Sequence, residues 1–180
     1  QEDTQYFWKV KAVDNLGAFA ETEVWSFATN SANSVPVSFD IISPQDNYVV
    51  TELPLTLSWS ASGDPDLFDE ITYSVELGTT PADLDEIYNG ADTSYVVEEL
   101  LDNTTYYWQV TAIDISGATT FNTGGYYSFT VNTENNAPEE FALLAPADGS
   151  LINTLTPEFL WESAIDPDIV RYIASYEFYL

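Results

Sequence analysis

The chain has 180 residues, 45% of them hydrophobic and 15% aromatic, too apolar for a disordered acidic tail. Three basic residues, Lys9, Lys11 and Arg171, face 30 acidic ones, and the formal net charge of −27 disfavours nucleic acid and anionic lipid surfaces as partners. Cysteine and histidine are absent, which removes disulfides, thiolate and imidazole metal ligands, the thiol nucleophile and the commonest general base.

The first element is "QYFWKVKAVD" at 5–14, which alternates large apolar and small polar side chains and runs into a turn at Gly17. The Asn- and Ser-rich linker "NSANSVP" follows at 30–36. In "LTLSWSA" at 55–61, Leu55, Leu57, Trp59 and Ala61 share one face. "ITYSVEL" at 71–77 repeats the alternation with Ile71, Tyr73, Val75 and Leu77. The stretch "PADLDEIY" at 81–88 reads either as a turn of helix or as an irregular edge strand. "YYWQVTA" at 106–112 places Tyr106, Trp108, Val110 and Ala112 on one face, and "YSFTV" at 127–131 alternates around Phe129. A second linker, "NTENNAP" at 132–138, precedes an apolar run, "FALLAPA", far shorter than the roughly 18 residues a membrane helix needs.

Aligned with itself, the chain is a repeat. Trp8 matches Trp108 and Gly17 matches Gly117 at an offset of 100. Beyond the loop that is "AFAETEVW" in one copy and "ATTFNTGGYY" in the other, the offset becomes 102. It then joins Phe27 to Phe129, Pro36 to Pro138, Trp59 to Trp161, and "DPD" at 64–66 to "DPD" at 166–168. Two residues inserted in one loop, with the register kept elsewhere, are what surface hairpins tolerate. Short alternating strands bounded by "SGDPD", "TTPAD", "NGAD" and "DISGA" predict an all-β chain of tandem antiparallel β-sandwiches. Residues 34–133 form one complete unit, 1–30 the C-terminal part of a preceding one and 134–180 the opening of a following one. The sequence is thus expected to be a window on a longer array.

The residues Trp59, Leu100, Thr104 and Tyr106, followed by Trp108, Val110 and Ala112, resemble the fibronectin type III pattern, and "TTYYWQVTAID…G" is similar to the tandem modules of bacterial secreted and cell-surface proteins. The resemblance implies structural roles for Trp59, Leu100, Tyr106 and Trp108, and for Tyr6, Trp8 and Trp161 in the partial copies. A tyrosine at the start of the sixth strand sends its hydroxyl back to the preceding turn and pins that corner.

Carboxylates are too numerous for any one pair to signal catalysis, and no nucleophile elbow or phosphate-binding glycine loop appears, so the expectation is a non-enzyme. In this fold the loop between the second and third strands and the loop between the sixth and seventh meet at the pole facing the incoming linker. The first holds Asp64, Asp66, Asp69 and Glu70 and the second Asp114, a set of oxygen ligands suited to Ca²⁺. Asp166 and Asp168 repeat the motif in the next copy, and Asp14 repeats Asp114 in the previous one. Asp-Pro-Asp is equally ordinary turn chemistry, with side chains capping backbone amides. Asn103-Thr104-Thr105 fits the N-glycosylation pattern and also the turn signature of the fold. Tyr88, Tyr107, Phe121 and Tyr126 are candidate outward aromatics, for sugar stacking or for cross-strand pairing.

The expected role is an extracellular or cell-surface spacer or adhesive segment, partnered by neighbouring modules or identical subunits, or by an extracellular glycan or protein. A carbohydrate-binding or spacer module of a polysaccharide-degrading enzyme is the rival.

Overall fold

The computed structural model describes residue 1, residues 3–169 and residues 171–180, and among these all regular structure is β-strand. In the leading segment, β1 (Thr4–Trp8) pairs with β4 (Trp25–Thr29), and β2 (Lys11–Val13) pairs with β3 (Phe19–Glu21). These strands pair among themselves, and the buried core of the central unit includes none of their residues.

The central unit contains β5 (Ile41–Ser43), β6 (Tyr48–Val50), β7 (Leu55–Trp59), β8 (Thr72–Thr80), β9 (Asp83–Gly90), β10 (Ser94–Val97), β11 (Thr104–Ile113), β12 (Thr119–Phe121) and β13 (Tyr127–Val131). One sheet has the order β10-β7-β5; the other runs β6-β13-β11-β8-β9, with β12 on β11. Leu55, Leu57 and Trp59 from the first sheet meet Tyr73, Val75, Trp108, Val110, Ala112 and Phe129 from the second in one core. Trp59 and Tyr73 touch across the gap edge to face, with ring centroids 5.6 Å apart. The alternation in the sequence is therefore the inside–outside alternation of two facing sheets.

Two expectations are corrected and one open choice is decided. β7 ends at Trp59, where Ser60 N–H donates to Asp40 O, and Ala61 is exposed. The pairing is not antiparallel throughout: β6 runs parallel to β13. The chain crosses from one sheet to the other between β5 and β6, so its opening edge is shared by both. Of the two readings of 81–88, the irregular edge strand is the one found: after a turn at 81–82, residues 83–88 lie in β9, which ends its sheet and pairs antiparallel with β8 with shifts of register. Their hairpin requires Gly78, because a Cβ there would stand 2.1 Å from Asp83 O.

The trailing segment pairs β14 (Leu143–Ala145) with β15 (Leu160–Trp161). Its aromatic cluster copies the central one. Phe141–Tyr176 and Trp161–Tyr176 lie at 5.6 and 5.7 Å, against 5.7 and 5.6 Å for Phe39–Tyr73 and Trp59–Tyr73. Hairpin registers repeat too: Thr4↔Thr29 and Trp8↔Trp25 correspond to Thr104↔Val131 and Trp108↔Tyr127. The inserted residues fall in the turn after Asn122, where Gly124 and Gly125 adopt φ of 89° and 75°. Asn122 closes that turn by accepting from Val110 N–H and donating to Thr123 O and Gly125 O.

The tyrosine corner forms as expected. Tyr106 Oη accepts the Leu101 N–H at 3.0 Å, and Tyr6 Oη accepts from the Gln1 amine at 3.0 Å, one repeat earlier.

A candidate cation site at the linker-facing pole

Asp64-Pro65-Asp66 folds as a turn in which Asp64 Oδ1 accepts the Asp66 N–H at 2.8 Å. The next turn has Phe68 at φ 70° and brings Asp69 back over it, Asp69 N–H donating to Asp66 O at 3.4 Å. From the other loop, Asp114 Oδ1 accepts the Ala118 N–H at 2.8 Å, in a turn that needs Gly117 at φ 89°. The linker enters between them. Asp66 Oδ2 accepts the Ser34 N–H at 2.7 Å, and Asp114 Oδ2 accepts from Asn33 Nδ2 at 2.8 Å.

The result is a convergence of charge. One carboxylate oxygen each from Asp64, Asp69 and Asp114 lies within 4.8 Å of the others. Asp64 Oδ2, Asp66 Oδ1 and Asp69 Oδ2 are enclosed with no hydrogen-bond donor, and Asp66 and Asp114 are only 3% and 4% exposed. Burial, and then the neighbouring Asp64, Asp114 and Asp66, push the Asp69 carboxyl above its ordinary value. Asp114 moves the other way: the Asn33 side chain and backbone amides of its own turn outweigh burial and hold it low. The turn-capping reading thus describes Asp114 and one oxygen each of Asp64 and Asp66. It leaves Asp64 Oδ2, Asp66 Oδ1 and Asp69 Oδ2 enclosed without a donor.

The other predicted positions are elsewhere. Glu70 is exposed and outside the converging set. Asp166 and Asp168 stand at the following linker, where Asp166 Oδ1 accepts the Asp168 N–H at 3.0 Å, the same turn as in the central unit. Asp14 caps its own hairpin, accepting the Leu16 and Ala18 N–H groups. Asn103, at φ 51°, works in the second linker: its Oδ1 accepts from Asn132 Nδ2 and the Ile169 N–H, and its Nδ2 reaches Asp168 at 3.4 Å. The nitrogen a glycan would occupy is engaged in that contact. Of the candidate outward aromatics, Phe121 and Tyr126 are exposed. Tyr88 instead packs against Trp59 and Tyr95, and Tyr107 is half-buried.

Sequence reasoning missed two participants, Asn33 and Arg171. Both were marked by the 102-residue offset, which aligns Asn33 with Asn135 and Arg171 with Asp69.

With three strands β5, β7 and β10 facing β6, β8, β9, β11 and β13, and a tyrosine pinning the turn before β11, the architecture is settled. The central unit is a fibronectin type III-like sandwich. No protein-family model and no curated protein matches the chain. Among solved structures, the chain is similar to the sixth fibronectin type III domain of human fibronectin type III domain containing protein 3. That match is 17% identical with a TM-score of 0.42, and covers 63% of this chain and 98% of that one. Another fibronectin type III domain of the same human protein is 24% identical over 59% of this chain and 93% of its own, with a TM-score of 0.40. The fibronectin(III)-like modules of Clostridium thermocellum CbhA are 17% identical over 76% of this chain and 68% of theirs, at a TM-score of 0.42. Among the described residues no helix is long and apolar enough to cross a membrane.

Proposed function

We propose that the chain is a non-catalytic segment of a longer extracellular or cell-surface array of sandwiches, acting as a spacer or adhesive stalk, with Ca²⁺ fixing a linker to the sandwich that follows it. Its partners in this reading are neighbouring modules or identical subunits. The observation that carries it is the set of enclosed, donor-less carboxylate oxygens of Asp64, Asp66 and Asp69 beside Asp114, at the point where the linker arrives. From residue 12 to residue 170 the sequence contains no lysine, arginine or histidine, so the pole must draw its counter-charge from solution. A hard divalent cation with six to eight oxygen ligands suits such a set, and affinities of about 10⁻⁴–10⁻³ M are those of calcium-binding extracellular modules.

Asn33 and Ser34 already bond to Asp114 and Asp66, so a cation drawing these carboxylates together also fastens the linker to the pole. That is useful in an array whose sandwiches fold autonomously and whose reach depends on linker stiffness.

The test is calorimetric titration of the chelator-stripped chain with CaCl₂, beside Asp69→Asn. The reading expects binding heat and a raised melting temperature for the parent chain, both lost in the variant. A parent chain that shows neither overturns it.

A further inference from the structure

The two linkers differ in one residue that reverses a charge. The 102-residue offset puts Arg171 where the central unit has Asp69, and the backbone confirms the match. Arg171 N–H donates to Asp168 O at 3.0 Å, as Asp69 N–H does to Asp66 O at 3.4 Å. Around it the rest of the pole is conserved in kind. Asp166 Oδ1 accepts the Asp168 N–H as Asp64 Oδ1 accepts that of Asp66, and the Asn136 N–H donates to the Asp168 carboxylate as that of Ser34 does to Asp66.

The guanidinium lies where counter-charge is needed. Arg171 Nε is 3.3 Å from Asp168 Oδ2, on a side chain with no exposed surface, and donates to Asn132 Oδ1 at 3.2 Å; one terminal nitrogen bonds Asn135 Oδ1. Asn135 is the counterpart of Asn33. One arginine thus ties the linker, at both Asn132 and Asn135, to the Asp-Pro-Asp turn of the trailing segment. At the first linker, by contrast, the same position holds a carboxylate, and Asp66 keeps an enclosed oxygen with no donor. Of the chain's three basic residues, Lys9 and Lys11 pair with Glu21; the third is the one placed here.

We infer that Arg171 is a built-in replacement for a bound divalent cation, so that the second linker is locked permanently while the first is locked only when the cation is present. The first half rests on the calcium reading above; the second rests on the Arg171 contacts alone. The array is then a series of joints, some responsive to calcium and others not, with aspartate or arginine at this one position deciding which.

Because the chain has no cysteine, introduced pairs can be spin-labelled without further change. Ser26/Thr56 spans the first linker and Thr56/Glu158 the second, all three positions being exposed. In the full chain, chelation is expected to abolish the narrow Ser26/Thr56 distance and leave Thr56/Glu158 unchanged. Arg171→Gln should abolish the narrow Thr56/Glu158 distance with or without calcium. Asp69→Arg should keep Ser26/Thr56 narrow in chelator and remove its calcium response. The inference is overturned if the second distance follows calcium in the parent chain, if Arg171→Gln leaves it narrow, or if Asp69→Arg leaves the first distance broad in chelator. Absence of calcium heat in the parent chain sinks the functional reading separately, and the Arg171→Gln result still judges the lock.

Discussion

Replacing Tyr106 by phenylalanine removes one oxygen and little else. The ring is 9% exposed and stacks on Phe129 with centroids 5.7 Å apart, a contact phenylalanine keeps. The lost atom is the acceptor for the Leu101 N–H at 3.0 Å. Leu101 itself is 70% exposed, so water can reach its amide once the hydroxyl is gone, and the cost is that of one ordinary hydrogen bond, about 1 kcal/mol. For a unit of this size that lowers the melting temperature by about 4–8 °C. Tryptophan emission reads the central unit once the partly buried Trp161 of the trailing segment is replaced by phenylalanine in parent and variants alike: Trp59 and Trp108 are 1% and 0% exposed, whereas Trp8 and Trp25 are 48% and 66% exposed before any unfolding. The red shift on heating or in urea therefore reports mainly the central core. Tyr107→Phe, one residue along on the outer face of the same strand, is the control and should stay within about 0.5 kcal/mol of the parent. If the two variants have the same midpoint, the corner bond contributes nothing and the structural role given to Tyr106 is wrong.

Trp59→Ala empties the centre of the core beneath Tyr73 and Tyr88, and should cost about 3–5 kcal/mol in chemical denaturation. Asp46 is held below its ordinary value of 3.8, first by the Ser128 hydroxyl and then by the Ser128 N–H, both 2.8 Å from Oδ1. A carboxyl lowered in the folded state stabilises fully above its unfolded value and ceases to as pH falls through the folded one. The urea midpoints of the parent and Asp46→Asn should accordingly converge as pH is lowered from about 5 to about 2. With calcium at about 100 times its dissociation constant, the parent chain should gain about 2.7 kcal/mol over the chelated protein, a gain that differential scanning calorimetry should find missing from Asp69→Asn.

The sandwich was legible because its signals are redundant. Trp59, Trp108 and Phe129 sit on strands whose polar neighbours alternate with them, and the repeat supplies each pattern a second time. β9 hid its nature for a physical reason. Its register with β8 shifts between Val75↔Tyr88 and Glu76↔Glu86, leaving Ile87 as an extra residue. Both Ile87 and Tyr88 then pack against the core, and with Leu84 also partly covered the apolar spacing imitates a helical turn. The parallel β6–β13 pairing left no mark, since a three-residue strand carries too little alternation to reveal its direction. At the pole, the two loops named from the sequence do meet: Asp64, Asp69 and Asp114 converge there, and Glu70 does not. What separates Asp69 from Glu70 is the turn at Phe68, with φ of 70°, which sends one carboxylate inward and the next to solvent. Asn33 and Arg171 escaped notice because a linker residue acquires a role only when the position of the neighbouring pole is known.

The acidity of the chain divides into two kinds that obey different physics. Most carboxylates are exposed, and their mutual repulsion falls away beyond about 10 Å in 0.1 M salt. For those, monovalent ions are an adequate counter-charge and no structure is required. The oxygens of Asp64, Asp66 and Asp69 that are shut off from solvent gain little from that ionic atmosphere, because screening acts weakly on buried charge. They need a positive charge within ligand distance, and the chain meets that need differently at its two linkers. At the second, Arg171 carries the charge on the protein itself, at the expense of side-chain freedom and without dependence on surroundings. At the first, a third carboxylate raises the local demand instead. In the calcium reading proposed above, Asp69 costs an isolated sandwich stability until the counter-charge arrives as a ligand, and the state of that linker then follows what the surrounding solution contains.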